Sequence, residues 1–386
     1  MRIVVFFSIV VLVAVGLHAY IGVRLIGSSP LSPTGRRRAW AVLAAMALLM
    51  LVAFIGGRVI ERAPWFQALQ WIGFTAMGLI LVLFPLLLFR DVLWGAGLLL
   101  GAKGDVDLER RDFLRQSSAM AVLGTGALIS IAGLVQARRR AAVVEVDVPL
   151  RDLPDELEGF RIVQITDVHV GPTIGKSFLR AVVDDVLALE PDLVAFTGDL
   201  ADGYVDELRE AVAPLADLDA KHGVYFVTGN HEYYWDPAAW IGEVRRLGLT
   251  VLNNEHRLVE VGGARLLVAG VTDYGSEAFV SEHRSDPAAA IDGAPRSDVK
   301  LLLAHQPKSL HAARAAGFDL QLSGHTHGGQ FFPWNLLIGL AQPIVAGLER
   351  FDRLWVYVSR GTGYWGPPMR SPRRSEITVV KLTRAR

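Results

Sequence analysis

The 386-residue chain contains no cysteine. That absence excludes disulfides, thiolate zinc sites and a cysteine nucleophile, and leaves any metal to oxygen and imidazole ligands. It is compatible with an oxidising compartment without requiring one. Net charge is lacking too, since 39 Lys and Arg balance 39 Asp and Glu. The basic footprint of a nucleic-acid binder is therefore missing, and no nucleic-acid partner is expected. Asp, Glu, Lys and Arg are wholly absent from four long apolar stretches of the first half, residues 3–23, 39–57, 66–89 and 117–135. Each has the ~17–25 residues that cross a hydrocarbon core as a helix. Buried helices of a soluble protein are the alternative, but four stretches with charges only in the gaps speak for membrane spans. The first stretch lacks the small-residue cleavage pattern of a signal peptide, and three spans would remain without it.

Loop charges give an orientation. Loops after the first and third spans carry Arg24, Arg36, Arg37, Arg38, Arg90, Lys103, Arg110, Arg111 and Arg115. The opposite side carries fewer: Arg2, Arg58, Arg62, Arg138, Arg139, Arg140 and, counted generously, Arg151. The positive-inside rule then places the second half outside the cytoplasm. Glu109-Arg110-Arg111-Asp112-Phe113-Leu114-Arg115 resembles a twin-arginine export signal, although Glu109 stands where Ser or Thr is usual and the motif is internal. A charged juxtamembrane helix is the other reading. Residues 92–102 are apolar but too few to span and read as interfacial. A multi-pass membrane region over residues 1–140 thus precedes a soluble half over residues 141–386.

The second half alternates strands and helices. Five short apolar runs end in metal-ligating residues: 160–166 before Asp167 and His169, 193–198 before Asp199, and 224–229 before Asn230, His231 and Glu232. The last two are 301–304 before His305 and 320–324 before His325, Thr326 and His327. Five of the ten histidines fall in these motifs. Buried strands read as such runs, and open α/β sheets place ligands at the carboxyl ends of their strands. The expectation is a polynuclear metal site at one sheet edge. Residues 176–189, 205–220, 237–247 and 308–316 have helical spacing. Residues 256–261 and 265–271 flank Gly262-Gly263 as a hairpin, and 353–359 and 377–382 read as closing strands.

Singly, most of these motifs are weak. An Asp-x-His is common by chance, an Asp after Gly is an ordinary turn residue, and a lone His305 would be a satisfied core or turn histidine. Asn230-His231-Glu232 and Gly324-His325-Thr326-His327-Gly328-Gly329-Gln330 are stronger, because such clusters at strand ends serve no packing purpose. Oxygen and imidazole donors suit Mn, Fe, Zn or similar divalent ions. Residues i and i+2 of a strand end point the same way, so Asp167 and His169 can hold one ion. His325 and His327 can share an ion or take one each. Asp199, on an inner strand, is placed for a carboxylate that bridges two. Two ions about 3.5–4 Å apart can hold a hydroxide at neutral pH and clamp an in-line displacement at phosphorus.

Asp167-x-His169, Gly198-Asp199, Gly229-Asn230-His231-Glu232, His305 and Gly324-His325-x-His327 together resemble the signature of calcineurin-like metallophosphoesterases, over about residues 158–383. The resemblance implies an α/β fold, a four-layer α/β/β/α sandwich, here preceded by an all-α transmembrane region of about four helices. It implies two divalent ions, one on Asp167, His169, Asp199 and His327, the second on Asp199, Asn230, His305 and His325. It makes His231 the group that stabilises the phosphoryl oxygens or protonates the leaving group. The Gly324–Gln330 motif with Arg360-Gly361-x-Gly363 is most similar to the membrane-associated bacterial branch, from which Ser375 departs where Pro is usual.

The implied activity is hydrolysis of a phosphomonoester, phosphodiester or lipid-linked (pyro)phosphate by a hydroxide held between the ions. Partners on this reading are the bilayer and a phosphate-ester substrate. Apolar residues 331–340, 364–369 and 233–235 either pack in the core or form an approach for a lipid tail. A non-catalytic metal sensor or transporter accessory is the alternative class. His231 beside the metals and the absence of charge within the spans argue against it. Asp202 or Glu232 is placed to orient a ligand imidazole, or lies on the surface.

Overall fold

The computed structural model describes residues 2–57, 60, 63–99 and 108–385. The chain divides into two units: residues up to Arg138 with Gly366–Ser371, and Arg139–Trp365 with the residues from Pro372 on. The first unit holds α1 (Arg2–Leu25), α2 (Pro33–Gly56), α3 (Pro64–Leu99) and α4 (Leu108–Ala137). All four are long and apolar enough to cross a membrane. Ser32 caps α2 by accepting from the Gly35 N–H, and Pro33 opens the helix where no N–H is needed. Close approach of α2 and α3 depends on Gly73, where a Cβ would lie 2.6 Å from both Ala53 Cβ and Leu49 O; small residues are the usual means of packing helices in lipid.

Residues 92–99 do not form a separate interfacial segment but continue α3, while residues 100–102 lie outside the described residues, as do Arg58, Arg62 and Lys103 of the charge count. Arg90 and Asp91 accordingly sit inside a helix and not in a loop. At 1.5 Å per residue they fall about 39 Å from Pro64, beyond the ~30 Å of a hydrocarbon core. Asp91 accepts from Tyr20 Oη at 2.6 Å and pairs with Arg24 Nε at 2.6 Å. The carboxyl-terminal ends of α1 and α3 therefore lie together, as an up-and-down bundle requires. The twin-arginine-like residues form the first turns of α4.

The second unit runs β1 (Ala142–Leu150), β2 (Arg161–Ile165), α5 (Lys176–Leu187), β3 (Leu193–Phe196), α6 (Val205–Val212), β4 (Val224–Phe226), α7 (Asn230–Trp235) and α8 (Pro237–Arg246). It continues with β5 (Thr250–Val251), β6 (Glu255–Val261), β7 (Ala264–Gly270), β8 (Val299–Leu303), α9 (Leu310–Ala315), β9 (Leu320–Ser323), β10 (Gly347–Phe351), β11 (Leu354–Val358) and β12 (Glu376–Arg384). Two six-stranded sheets result, β1-β12-β2-β3-β4-β5 and β10-β11-β9-β8-β7-β6. β2, β3 and β4 are mutually parallel, as are β7, β8 and β9. The hairpin at Gly262-Gly263 and both closing strands are present. The helix expected over 205–220 breaks at Val212 because Pro214 follows in a 3-10 turn.

Strand alternation builds four layers. Ile162, Leu193, Ala195, Leu266, Val268, Leu301, Leu303 and Leu322 pack together between the sheets. Val163, Val194, Phe196 and Phe226, on the opposite face of the first sheet, are equally buried, on the side of the apolar faces of α5, α6 and α8. Ala269, Leu302 and Val356 of the second sheet pack with Leu310 and Ala313 of α9. The order is helices, sheet, sheet, helix: the α/β/β/α sandwich. The ligand motifs do not sit on one sheet edge, since β2, β3 and β4 belong to one sheet and β8 and β9 to the other. Parallel strands within each sheet bring all five carboxyl ends to the same end of the sandwich.

Trp240 of α8 is fully buried and its Nε1–H donates to Gly203 O at 3.0 Å, pinning the turn after Asp202. Trp240→Phe should leave that carbonyl unpaired and cost about 1–3 kcal/mol, read as a lower denaturation midpoint of the purified chain. An unchanged midpoint would show that the bond contributes nothing net.

Candidate metal centre

Where the strands end, the backbone turns sharply inward. Asp167, His169, Asp199, His325 and His327 all have φ between 52° and 69°, a left-handed conformation that costs a non-glycine residue roughly 1–2 kcal/mol. Among the described residues eleven non-glycine positions have positive φ, and these five are candidate ligands. Such strain persists where the surroundings over-determine it and gathers at functional sites. The turns are interlocked: Asp167 N–H donates to Gly198 O at 3.0 Å and His169 N–H to Asp199 O at 3.1 Å. A Cβ at Gly324 would lie 2.1 Å from Asp167 Oδ2, and one at Gly229 2.2 Å from Asp199 Oδ1. Only hydrogen fits at either place.

The side chains converge in overlapping groups. Asp167, His169 and His327 form one, and Asp199, His305 and His325 another. His327 Nε2 is 3.3 Å from Asp167 Oδ1 and 3.0 Å from His169 Nε2. Asp199 Oδ2 lies 3.6 Å from His169 Nε2 and 3.2 Å from His305 Nε2, so one carboxylate oxygen reaches both groups. Asn230 Oδ1 and His325 Nδ1 each lie 3.2 Å from His305 Nε2. His305 Nδ1 donates to Thr197 O at 2.7 Å, which fixes the ring with Nε2 toward Asp199. Imidazole nitrogens facing each other at 3.0 and 3.2 Å, beside fully buried carboxylates, need a cation or shared protons between them. The donor set fits divalent ions.

His231 stands apart in its bonding. It opens α7 behind Asn230, and its backbone N–H donates to Asp199 Oδ1 at 2.9 Å. Its ring Nδ1 is held by Asp202 in a short hydrogen bond, which leaves Nε2 3.9 Å from Asp199 Oδ2. Asp202 Oδ2 also lies 3.3 Å from His169 Nδ1, so one carboxylate faces two imidazoles. Glu232 does not orient an imidazole. Its buried carboxylate accepts the N–H groups of Gly229 (2.7 Å), Asp199 (3.1 Å) and Leu200 (2.8 Å), stitching two ligand turns together.

Burial opposes charge throughout. It would raise Asp199, but His305 and His231 hold that carboxyl well below the usual range. Burial would lower His231, but Asp199 and Asp202 push it up to about 9. Burial, seconded by the charge on His305, takes His325 down to about 3, keeping it neutral and free to ligate. Burial and the charge on Asp199 push Glu232 up to about 7.

All seven candidate ligands and His231 are thus brought together. The sequence reading missed Asp273, which is buried and accepts from Gln306 Nε2 at 3.0 and 3.1 Å, beside His305 in the chain. Burial pushes it up to about 7. Its signal was available: β7 runs out through Val271 and Thr272 into Asp273, as the five other runs end. Behind β2, Thr362 N–H and Gly363 N–H donate to Thr166 O (2.8 Å) and Asp167 O (3.0 Å). That loop is fixed by Glu376, which accepts from Arg360 N–H at 3.0 Å, Arg360 Nη1 at 3.0 Å and Tyr357 Oη at 2.8 Å. Beside His231 stand Tyr234 and Trp365, with ring centroids at 5.0 and 5.5 Å. The core-packing alternative fails for both side chains, which are 42% and 45% exposed.

A sequence model of the calcineurin-like phosphoesterase family matches residues 160–329. A Danio rerio protein named transmembrane protein with metallophosphoesterase domain is 34% identical over 371 residues, covering 92% of this chain and 83% of the relative. A Bos taurus protein of the same name is 39% identical, covering 77% and 68%. An uncharacterized metallophosphoesterase of Helicobacter pylori is 37% identical, covering 70% and 71%.

Gly324→Ala is expected to displace the Asp167 carboxylate and cut bound metal at least severalfold with circular dichroism unchanged. Elemental analysis of the purified chain decides this. Wild-type metal content would refute the close approach of Gly324 as a condition of binding.

Proposed function

The chain belongs to the calcineurin-like phosphoesterase family and is a metal-dependent phosphoric ester hydrolase, and on that premise we propose a binuclear centre that works at a membrane. Asp167, His169, Asp199 and His327 hold one divalent ion. Asp199, Asn230, His305 and His325 hold the second. The observation that carries this assignment is Asp199 Oδ2, placed 3.6 Å from His169 Nε2 and 3.2 Å from His305 Nε2. When bound, Mn, Fe or Zn ions supply a nucleophilic hydroxide at neutral pH and neutralise charge on the phosphoryl oxygens.

His231 does the work that metal ligands cannot. Asp202 on Nδ1 fixes the ring so that Nε2 faces the space beside Asp199. From there it stabilises the phosphoryl oxygens or hands a proton to the departing alkoxide. Although His231 can be grouped with His169 and Asp199 as a third ligand set, its longer 3.9 Å approach to Asp199 favours the catalytic role. Residues 1–140 anchor the enzyme as a multi-pass region and residues 141–386 carry catalysis. The excess of basic residues around the carboxyl-terminal ends of α1 and α3 and the amino-terminal ends of α2 and α4 supports an extracytoplasmic catalytic half.

Asp199→Asn should remove metal and activity together. His231→Ala should retain metal and lose about 10²–10⁴-fold in kcat on bis-p-nitrophenyl phosphate. Wild-type turnover in either variant would overturn that residue's role. For orientation, alkaline phosphatase fused after Arg386 is expected to be active in cells; an inactive fusion with a fluorescent green fluorescent protein counterpart would reverse the topology.

A further inference from the structure

Residues 328–348 contain no Asp, Glu, Lys, Arg or His. Their central part, Trp334–Leu336 and Ile338–Leu340, forms two short 3-10 turns whose apolar side chains are turned outward. Leu340 is 87% exposed, Leu336 68% and Leu337 47%. A soluble surface does not normally gather such side chains without a use for them. The segment is also held firmly to the metal site. Asn335 Cα lies where a Cβ on Gly329 would be 2.1 Å away, and Thr326 Oγ1 donates to Val345 O at 2.6 Å. Gln330 bonds Trp365 in both directions, Nε2 to Trp365 O at 2.9 Å and Trp365 N–H to Oε1 at 3.0 Å.

Gln330 thus ties the start of this segment to Trp365, whose ring lies 5.5 Å from that of His231. We propose that Trp334–Leu340 inserts into the bilayer interface, and that the substrate is a phosphate ester anchored in the lipid by an apolar tail lying along Trp365. The inference rests on the phosphoesterase chemistry and membrane anchorage proposed above and narrows the substrate class. A lipid surface is the occupant for two reasons. The segment combines Trp with Leu and lacks charge, the composition of an interfacial insertion. The same chain carries four helices of membrane-crossing length.

The absence of native cysteine makes the test direct. Full-length Leu340→Cys, labelled with bimane and reconstituted in dioleoylphosphatidylcholine vesicles, should be quenched by brominated lipid and shielded from aqueous iodide. Glu260→Cys, on the exposed face of β6, should show the reverse. Iodide access at Leu340→Cys without bromolipid quenching overturns the proposal. Shielding from both overturns it too, because a second copy or a protein partner would then cover the segment. In a second arm, butyl, octyl and dodecyl phosphate compete with bis-p-nitrophenyl phosphate below their critical micelle concentrations. Inhibition should strengthen at least tenfold from butyl to dodecyl, and a chain-length-independent constant overturns the tail site. Absence of any hydrolysis by metal-loaded enzyme would instead refute the phosphoesterase reading, with the quenching arm still deciding the lipid contact.

Discussion

The Asp199 carboxylate governs the architecture of the site. It is almost completely buried, yet its oxygens face His169, His305 and His231 and accept the His231 N–H. An ionised carboxylate in such a place is tolerated only if cations or donors surround it. The surrounding imidazoles, Gly229 without a side chain, and Glu232 on the neighbouring N–H groups answer that requirement. The left-handed backbones at Asp167, His169, His325 and His327 follow from the same demand, since each of these side chains must double back from a strand end toward one point.

Two parallel-stranded halves make that convergence possible. Each sheet aims its ligand strands the same way, and the apolar layer between the sheets fixes their spacing. Neither sheet alone presents a complete ligand set. The first brings Asp167, His169, Asp199 and Asn230; the second brings His305, His325 and His327. Loops from elsewhere brace the edge: Thr362 and Gly363 behind β2, and Gln330 on Trp365. The exposed segment that follows the last ligand motif is tied to the same end by Thr326 on Val345 and by the close approach of Gly329 to Asn335.

Much of this was legible in the sequence. Five apolar runs ending in ligands mark strands because burial on both faces demands unbroken hydrophobicity, and all five strands formed. What could not be read was which sheet each joined, since pairing of β2 with β12 and of β11 with β9 is nonlocal. β1 escaped notice because its polar alternation, Glu145 and Asp147 among valines, suits an edge strand and not a buried one. The break in α3 was misplaced because hydropathy registers Arg90-Asp91 as an interruption, whereas a helix continues through charged residues paired with Arg24 and Tyr20. Asp273 was overlooked because its strand was read as half of a hairpin, although β7 also pairs with β8.

The central claim is that Asp199 joins two ions in one centre. Electron paramagnetic resonance of the metal-free chain titrated with Mn(II) tests it most directly, with hydrolysis followed in parallel. The account predicts that an exchange-coupled pair, the signature of ions about 3.5–4 Å apart, grows with activity to two equivalents. Full activity at one equivalent, or two uncoupled Mn(II) signals at saturation, would contradict it.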